Sequence, residues 1–127
     1  MNLDAEANAI KTFLTTASKA PVYDHDEAQT LGVALPAQYT VIYLSPRFGG
    51  NLRGDTRDVD LRRLQTRVSA KTVTNARLIE DRISTAFLHT TISLGASFAH
   101  FAYESGGGSY DFDEGYYTDL TGWLFTV

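Results

Sequence analysis

Six consecutive residues, Tyr39-Thr40-Val41-Ile42-Tyr43-Leu44, restrict this chain more than any other stretch. β-branched and aromatic side chains suit a pleated, half-buried surface and lose rotamer freedom in a helix. Ser45-Pro46 closes the run, so it reads as a strand. Val41 and Tyr43 point to one face, Ile42 and Leu44 to the other. Both faces are therefore expected to be at least partly covered, as in a central strand with helices on one side and a partner on the other.

A second, longer strand is expected over Val59 to Lys71, where Leu64, Thr66, Val68 and Ala70 alternate with Gln65, Arg67 and Ser69. Val59 and Leu61 keep the opposite parity, which predicts a bulge near Arg62-Arg63. Between the two strands, Arg47 to Asp58 carries Gly49-Gly50, Gly54 and repeated charge, with only Phe48 and Leu52 to bury. That composition predicts a long hairpin tip or arm.

Two helices bracket this region. Leu3, Ala7, Ile10, Leu14 and Ala17 form one stripe at helical spacing over residues 3–18, with Asn2 as N-cap, Asp4 and Glu6 in the first turn, and Pro21 as a stop. Ala76, Ile79, Ile83 and Ala86, with Phe87 beside them, form another to about Leu88, capped by Thr72 or Thr74. Val22-Tyr23-Asp24 is a short strand candidate. After His89 come strand-like stretches at Thr91–Leu94 and Phe98–Tyr103, an acidic loop opened by Gly106-Gly107-Gly108-Ser109, and an aromatic strand from Tyr116 to Val127. The order predicts one α+β domain over residues 1–127: a mixed, mostly antiparallel sheet of four to five strands, two helices on one face, and a long hairpin or arm.

Composition narrows the class. Cysteine is absent, so disulfides, thiolate metal sites and cysteine nucleophiles are excluded. No window approaches the ~18 consecutive apolar residues of a membrane helix. Met1 to Glu6 carries acids where a leader would carry Lys or Arg, so no leader is expected. His25, His89 and His100 form no His-x-x-x-His or His-Glu-x-x-His pair. Asp24-His25-Asp26-Glu27 and Asp111-Phe112-Asp113-Glu114 do not continue into a calcium loop. Gly49 to Gly54 lacks the ending of a P-loop, and neither Ser45 nor Ser105 sits in a nucleophile elbow. The expectation is a protein without catalytic, metal or cofactor residues.

Charge is distributed in blocks. Residues 1–46 sum to −3, residues 47–82 to +4 and residues 83–127 to −5, the last block holding no Lys or Arg. A basic middle and acidic ends offer complementary patches for contacts between copies, and Tyr, Trp and Arg are enriched at such contacts. Aromatic residues crowd the last quarter: Tyr103, Tyr110, Phe112, Tyr116, Tyr117, Trp123 and Phe125. Strand alternation assigns about half of them to a core. The candidate interface residues are accordingly Arg47, Phe48, Arg53, Arg57 and Arg67 on the basic side, with Asp111, Phe112, Asp113, Glu114 and Tyr116 on the acidic, aromatic side. An overall pI near 5.2 argues against a dedicated nucleic-acid binder.

In organisation the chain resembles the tail terminator (tail-to-head joining, or tail completion) proteins of long-tailed bacteriophages. The likeness runs through the opening helix, the strand at 39–44, the Gly/Arg/Asp-rich tip at 47–58 and the strand Arg63-Leu64-Gln65-Thr66-Arg67-Val68-Ser69-Ala70. It continues through the helix Thr74-Asn75-Ala76-Arg77-Leu78-Ile79-Glu80-Asp81-Arg82-Ile83 and the closing aromatic strand. The resemblance implies a virion protein of the tail–neck region, assembled in the host cytoplasm as a hexameric ring that caps the tail tube and stops its polymerisation. Its implied partners are copies of itself, the major tail tube protein and head-completion proteins, with DNA passing through a lumen; the arm at 47–58, with Arg47, Arg53 and Arg57, either lines that lumen or contacts the tube, and no membrane is involved. Alternatives are another neck protein, such as a head-closure or adaptor subunit, and a small cytoplasmic enzyme or ligand-binding α+β domain.

Overall fold

The computed structural model describes residues 3–25, 35–46, 61–94 and 98–126. Helix α1 spans Leu3–Ser18 and is followed by strands β1 (Val22–Asp24), β2 (Gln38–Pro46) and β3 (Leu61–Ala70). Helix α2 (Val73–His89) leads to β4 (Ile92–Ser93), β5 (Phe98–Ala99), β6 (Ala102–Gly106), β7 (Asp111–Asp113) and β8 (Tyr116–Thr126). The main sheet has six strands in the order β1-β2-β3-β8-β6, with β7 also paired to β8. β1 runs parallel to β2 and every other pairing in this sheet is antiparallel. β4 and β5 form a separate two-stranded pair. Among the described residues, the α+β class and the two helices on one face are as expected, and the sheet has one or two strands more. The extra strands are short: Asp111–Asp113, expected as loop, is drawn into the ladder by β8, and Phe98–Tyr103 divides into β5 and the start of β6.

Each helix is held by the stripe that its sequence carries. Ala7, Ile10 and Leu14 of α1 and Ala76, Ile79, Ile83 and Phe87 of α2 are buried. Thr72 caps α2, its hydroxyl accepting the Asn75 amide at 3.2 Å. α1 ends where Lys19 adopts a left-handed φ of 58°, two residues before Pro21. Both helices pack on the face formed by Ile42, Leu64, Val68, Trp123 and Phe125. Phe87 sits at the middle, stacked on Phe101 at 4.2 Å, edge-on to Trp123 at 5.1 Å and near Phe13 at 6.4 Å. The Trp123 indole N–H donates to the Thr66 hydroxyl at 3.2 Å, so its polar handle is satisfied inside the core.

The bulge expected near Arg62-Arg63 does not form. β3 pairs without interruption from Leu61 to Ala70 with β8, and from Arg62 to Ala70 with β2. Arg62 therefore shares the inward parity of Leu64, Thr66 and Val68, and it is buried because Glu6 of α1 meets it there: Arg62 Nε donates to Glu6 Oε1 at 3.1 Å. What reads in sequence as a break in alternation is a buried ion pair. The irregularity in this sheet lies instead on β6, between Tyr103 and Ser105. The expected arm at 47–58 lies outside the described residues.

Candidate interface on the open sheet face

The cross-strand register divides the sheet into two surfaces. Opposite the helices, one surface carries Tyr39, Val41 and Tyr43 from β2, Arg63, Gln65, Arg67 and Ser69 from β3, and Thr118, Leu120 and Gly122 from β8. One end of this surface is closed by aromatic rings. Tyr39 packs edge-on to Tyr116 at 5.4 Å, the Lys71 ammonium sits 4.0 Å from the Tyr116 ring, and the Tyr116 hydroxyl donates to the carbonyls of Pro36 (2.9 Å) and Leu35 (3.2 Å). Ser69 and Val41 are buried beneath this layer. Toward the other end the surface opens: Leu120 is 44% exposed and Arg67 partly so.

Arg67 lines a hollow of about 340 Å³ with Gly106, Gly107, Ser109, Asp111, Thr118, Asp119 and Leu120. The wall opposite β3 is a glycine turn held close to β8. Gly106, Gly107 and Gly108 all have φ between 81° and 91°, and a Cβ at Gly106 would run into the Leu120 carbonyl. Gly107 N–H donates to that carbonyl at 3.0 Å. Asp119 then takes the next two amides, Gly108 N–H at 2.6 Å and Ser109 N–H at 3.2 Å.

Of the interface residues that the sequence nominates, Arg47, Phe48, Arg53 and Arg57 lie outside the described residues. The structure brings Asp111, Phe112, Asp113 and Glu114 together on the β7–β8 hairpin at the sheet margin. Asp111 and Asp113 share the open-face parity of Thr118 and Tyr116, whereas Phe112 pairs with Tyr117 on the other side, its ring 4.9 Å from that of Tyr117 and 63% exposed. Glu114 occupies the turn at φ 49°. Tyr116 is engaged by its own chain, as described above. Of the seven aromatics from Tyr103 to Phe125, Trp123 and Phe125 are buried, while Tyr103 and Phe112 are exposed.

Sequence reasoning missed a carboxyl pair behind this margin. Glu80 of α2 faces Asp119, Tyr110 and Thr121. Burial, and then the neighbouring Asp119, push the Glu80 carboxyl up to about 7, with Tyr110 and Thr121 partly opposing. Burial and then Glu80 push the Tyr110 hydroxyl up to about 12. Arg77 lies 5.7 Å over the Tyr110 ring. The signal was legible only as an i, i+3 pair on α2, Arg77 and Glu80; nothing in the chain ties either to Asp119. Because folding raises the Glu80 pKa, the folded state holds an extra proton between pH 4.5 and 7, and stability falls as pH rises through that window. The penalty is complete above pH 7. At a half-exposed site, screening reduces it to about 1–2 kcal/mol. Glu80→Gln keeps a donor toward Asp119 and removes the charge. It is expected to raise stability by about that amount at pH 8 and to leave it little changed at pH 4, measured by urea unfolding at both pH values.

No protein-family model matches this chain, and no curated protein sequence matches it. Among the described residues no group of three or more His, Asp or Glu is placed to hold a metal ion, and no helix is long and apolar enough to cross a membrane.

Proposed function

We propose that this chain is a structural virion subunit of the tail-terminator type, which assembles with copies of itself into a ring on the end of the tail tube, stops tube growth and presents a surface to head-completion proteins. The reading rests on the resemblance in organisation and on one structural observation: both described helices cover the same sheet face, and the opposite face leaves a guanidinium and an exposed leucine beside an acidic hairpin. Such a face is suited to contact with another protein surface. Ring closure requires two different patches per subunit meeting head to tail, and a basic centre with an acidic margin provides a pair of that kind. Localisation to the virion neck, after assembly in the host cytoplasm, follows from the same reading.

Light scattering on the chain, with and without the major tail tube protein, tests it. The expected result is a mass of several subunits and capped, length-arrested tubes. A chain that stays monomeric over the full accessible concentration range and leaves tube growth unaltered overturns the reading. Binding to a head-completion protein without any effect on tubes would favour the head-closure or adaptor alternative instead.

A further inference from the structure

We propose that Arg67 is the receiving half of the seam between subunits, and that the group it receives is a carboxylate from the β7–β8 hairpin of a neighbouring copy, Asp113 or Glu114. This inference rests on the ring reading above and names its contact.

Of the five described arginines, four are engaged within the subunit. Arg62 is paired with Glu6 at 3.1 Å and Arg63 with Glu104 at 2.7 Å. Arg82 donates to the Ser18 carbonyl at 3.1 Å, and Arg77 lies over the Tyr110 ring. Arg67 makes no hydrogen bond or ion pair with any described residue, although it is partly buried in mid-strand and lines the hollow. A guanidinium carries five donors in a planar fork, and withdrawing that fork from water without an acceptor is unfavourable. A carboxylate approaching along the hollow would accept two of those donors side by side, the strongest geometry available to the group.

The complementary half is on the same chain but out of reach of its own Arg67. Asp113 pairs with Tyr116, whereas Arg67 pairs with Leu120. That is four residues along β8, roughly 13 Å at the rise of a strand. The carboxylates of Asp113 and Glu114 accept no hydrogen bond from any described residue, and both residues are exposed. Residues 83–127 hold five acids and no Lys or Arg; the Lys71 ammonium stands beside the turn, 4.0 Å over the Tyr116 ring, and offsets only part of the hairpin's charge. Asp111 lines the hollow itself and leaves the two residues nearer the tip, Asp113 and Glu114, to project outward. Each copy thus carries one receiving fork and one donating hairpin, which is the head-to-tail arrangement that closes into a ring.

The test is a charge exchange in the full chain, read as mass against concentration by sedimentation velocity at fixed, low ionic strength. Arg67→Gln and Arg67→Glu are each expected to weaken association by about 30-fold or more, as is the double change Asp113→Lys, Glu114→Lys. Combining Arg67→Glu with the double change is expected to recover most of the loss, because the pair is re-formed with its signs exchanged. Each variant should keep a cooperative melt when compared at a concentration where all are monomeric, with Arg67→Gln closest to the parent because it adds no carboxylate beside Asp111 and Asp119. Rings that form equally well with Arg67→Glu, or weakened rings that the combined variant fails to restore, overturn the seam and leave the ring reading standing. A wild-type chain that stays monomeric defeats the ring reading, and the seam with it.

Discussion

Ile83→Asp is expected to leave no folded subunit. Ile83 is 1% exposed on the inner stripe of α2, in the same core cluster as Ile79, Phe87, Leu64 and Trp123. Losing the isoleucine costs roughly 2–4 kcal/mol in transfer and cavity terms. The aspartate must then either bury a charge or bind a proton against its ordinary pKa, at several kcal/mol more. Together these match or exceed the ~5–15 kcal/mol that holds an ordinary domain folded. Circular dichroism and soluble yield check it. A cooperative melt near that of the parent chain would show that the stripe faces solvent. Ile83→Val, which keeps the shape, should cost only about 1 kcal/mol.

Breaking the Glu6–Arg62 pair has the second largest expected effect. Glu6 is fully buried and Arg62 nearly so, with Nε and Nη2 directed at the two carboxylate oxygens at 3.1 and 3.5 Å. Glu6→Ala leaves a buried guanidinium without its counter-ion, expected to cost about 3–5 kcal/mol. Replacing both residues together, with Glu6→Leu and Arg62→Met, removes two charges and keeps the volume, so most of that loss should return. Urea unfolding of the single and paired variants measures both terms, and a paired variant no more stable than Glu6→Ala would refute the account. The pair joins the first turn of α1 to the start of β3, so it fixes where the main sheet begins beneath the helix.

Much of the frame was legible because the signals were local. The stripes of α1 and α2, the six-residue run inside β2 and the alternation of β3 each state a period that only one backbone geometry satisfies. Glu6 was not legible as an inward group. An acid in the first turn of a helix already has a sufficient explanation in the helix dipole, and its true partner lies 56 residues away. The expected bulge came from the opposite parity of the apolar Val59 and Leu61, read without knowing that Arg62 holds the inward position through its pair with Glu6. β7 was missed because Asp-Phe-Asp has little strand preference of its own; the ladder of β8 supplies it. At the candidate interface, sequence located the acidic hairpin as a charge block. It gave no means of telling Arg67 from Arg63, which stands on the same face but is paired with Glu104.

The last strand described is also a central one. β8 lies between β3 and β6, carries β7 as well, and contributes Trp123 and Phe125 to the core. A growing chain can form both described helices and the β1–β3 ladder while a long row of unpaired amides and carbonyls still waits along β3. Until the residues after Tyr116 are made, that row is a template for any other extended segment nearby, including the same row on another nascent chain. Pairing of β3 on its second edge, and with it protection of that edge from misassociation, therefore waits on the residues of β8.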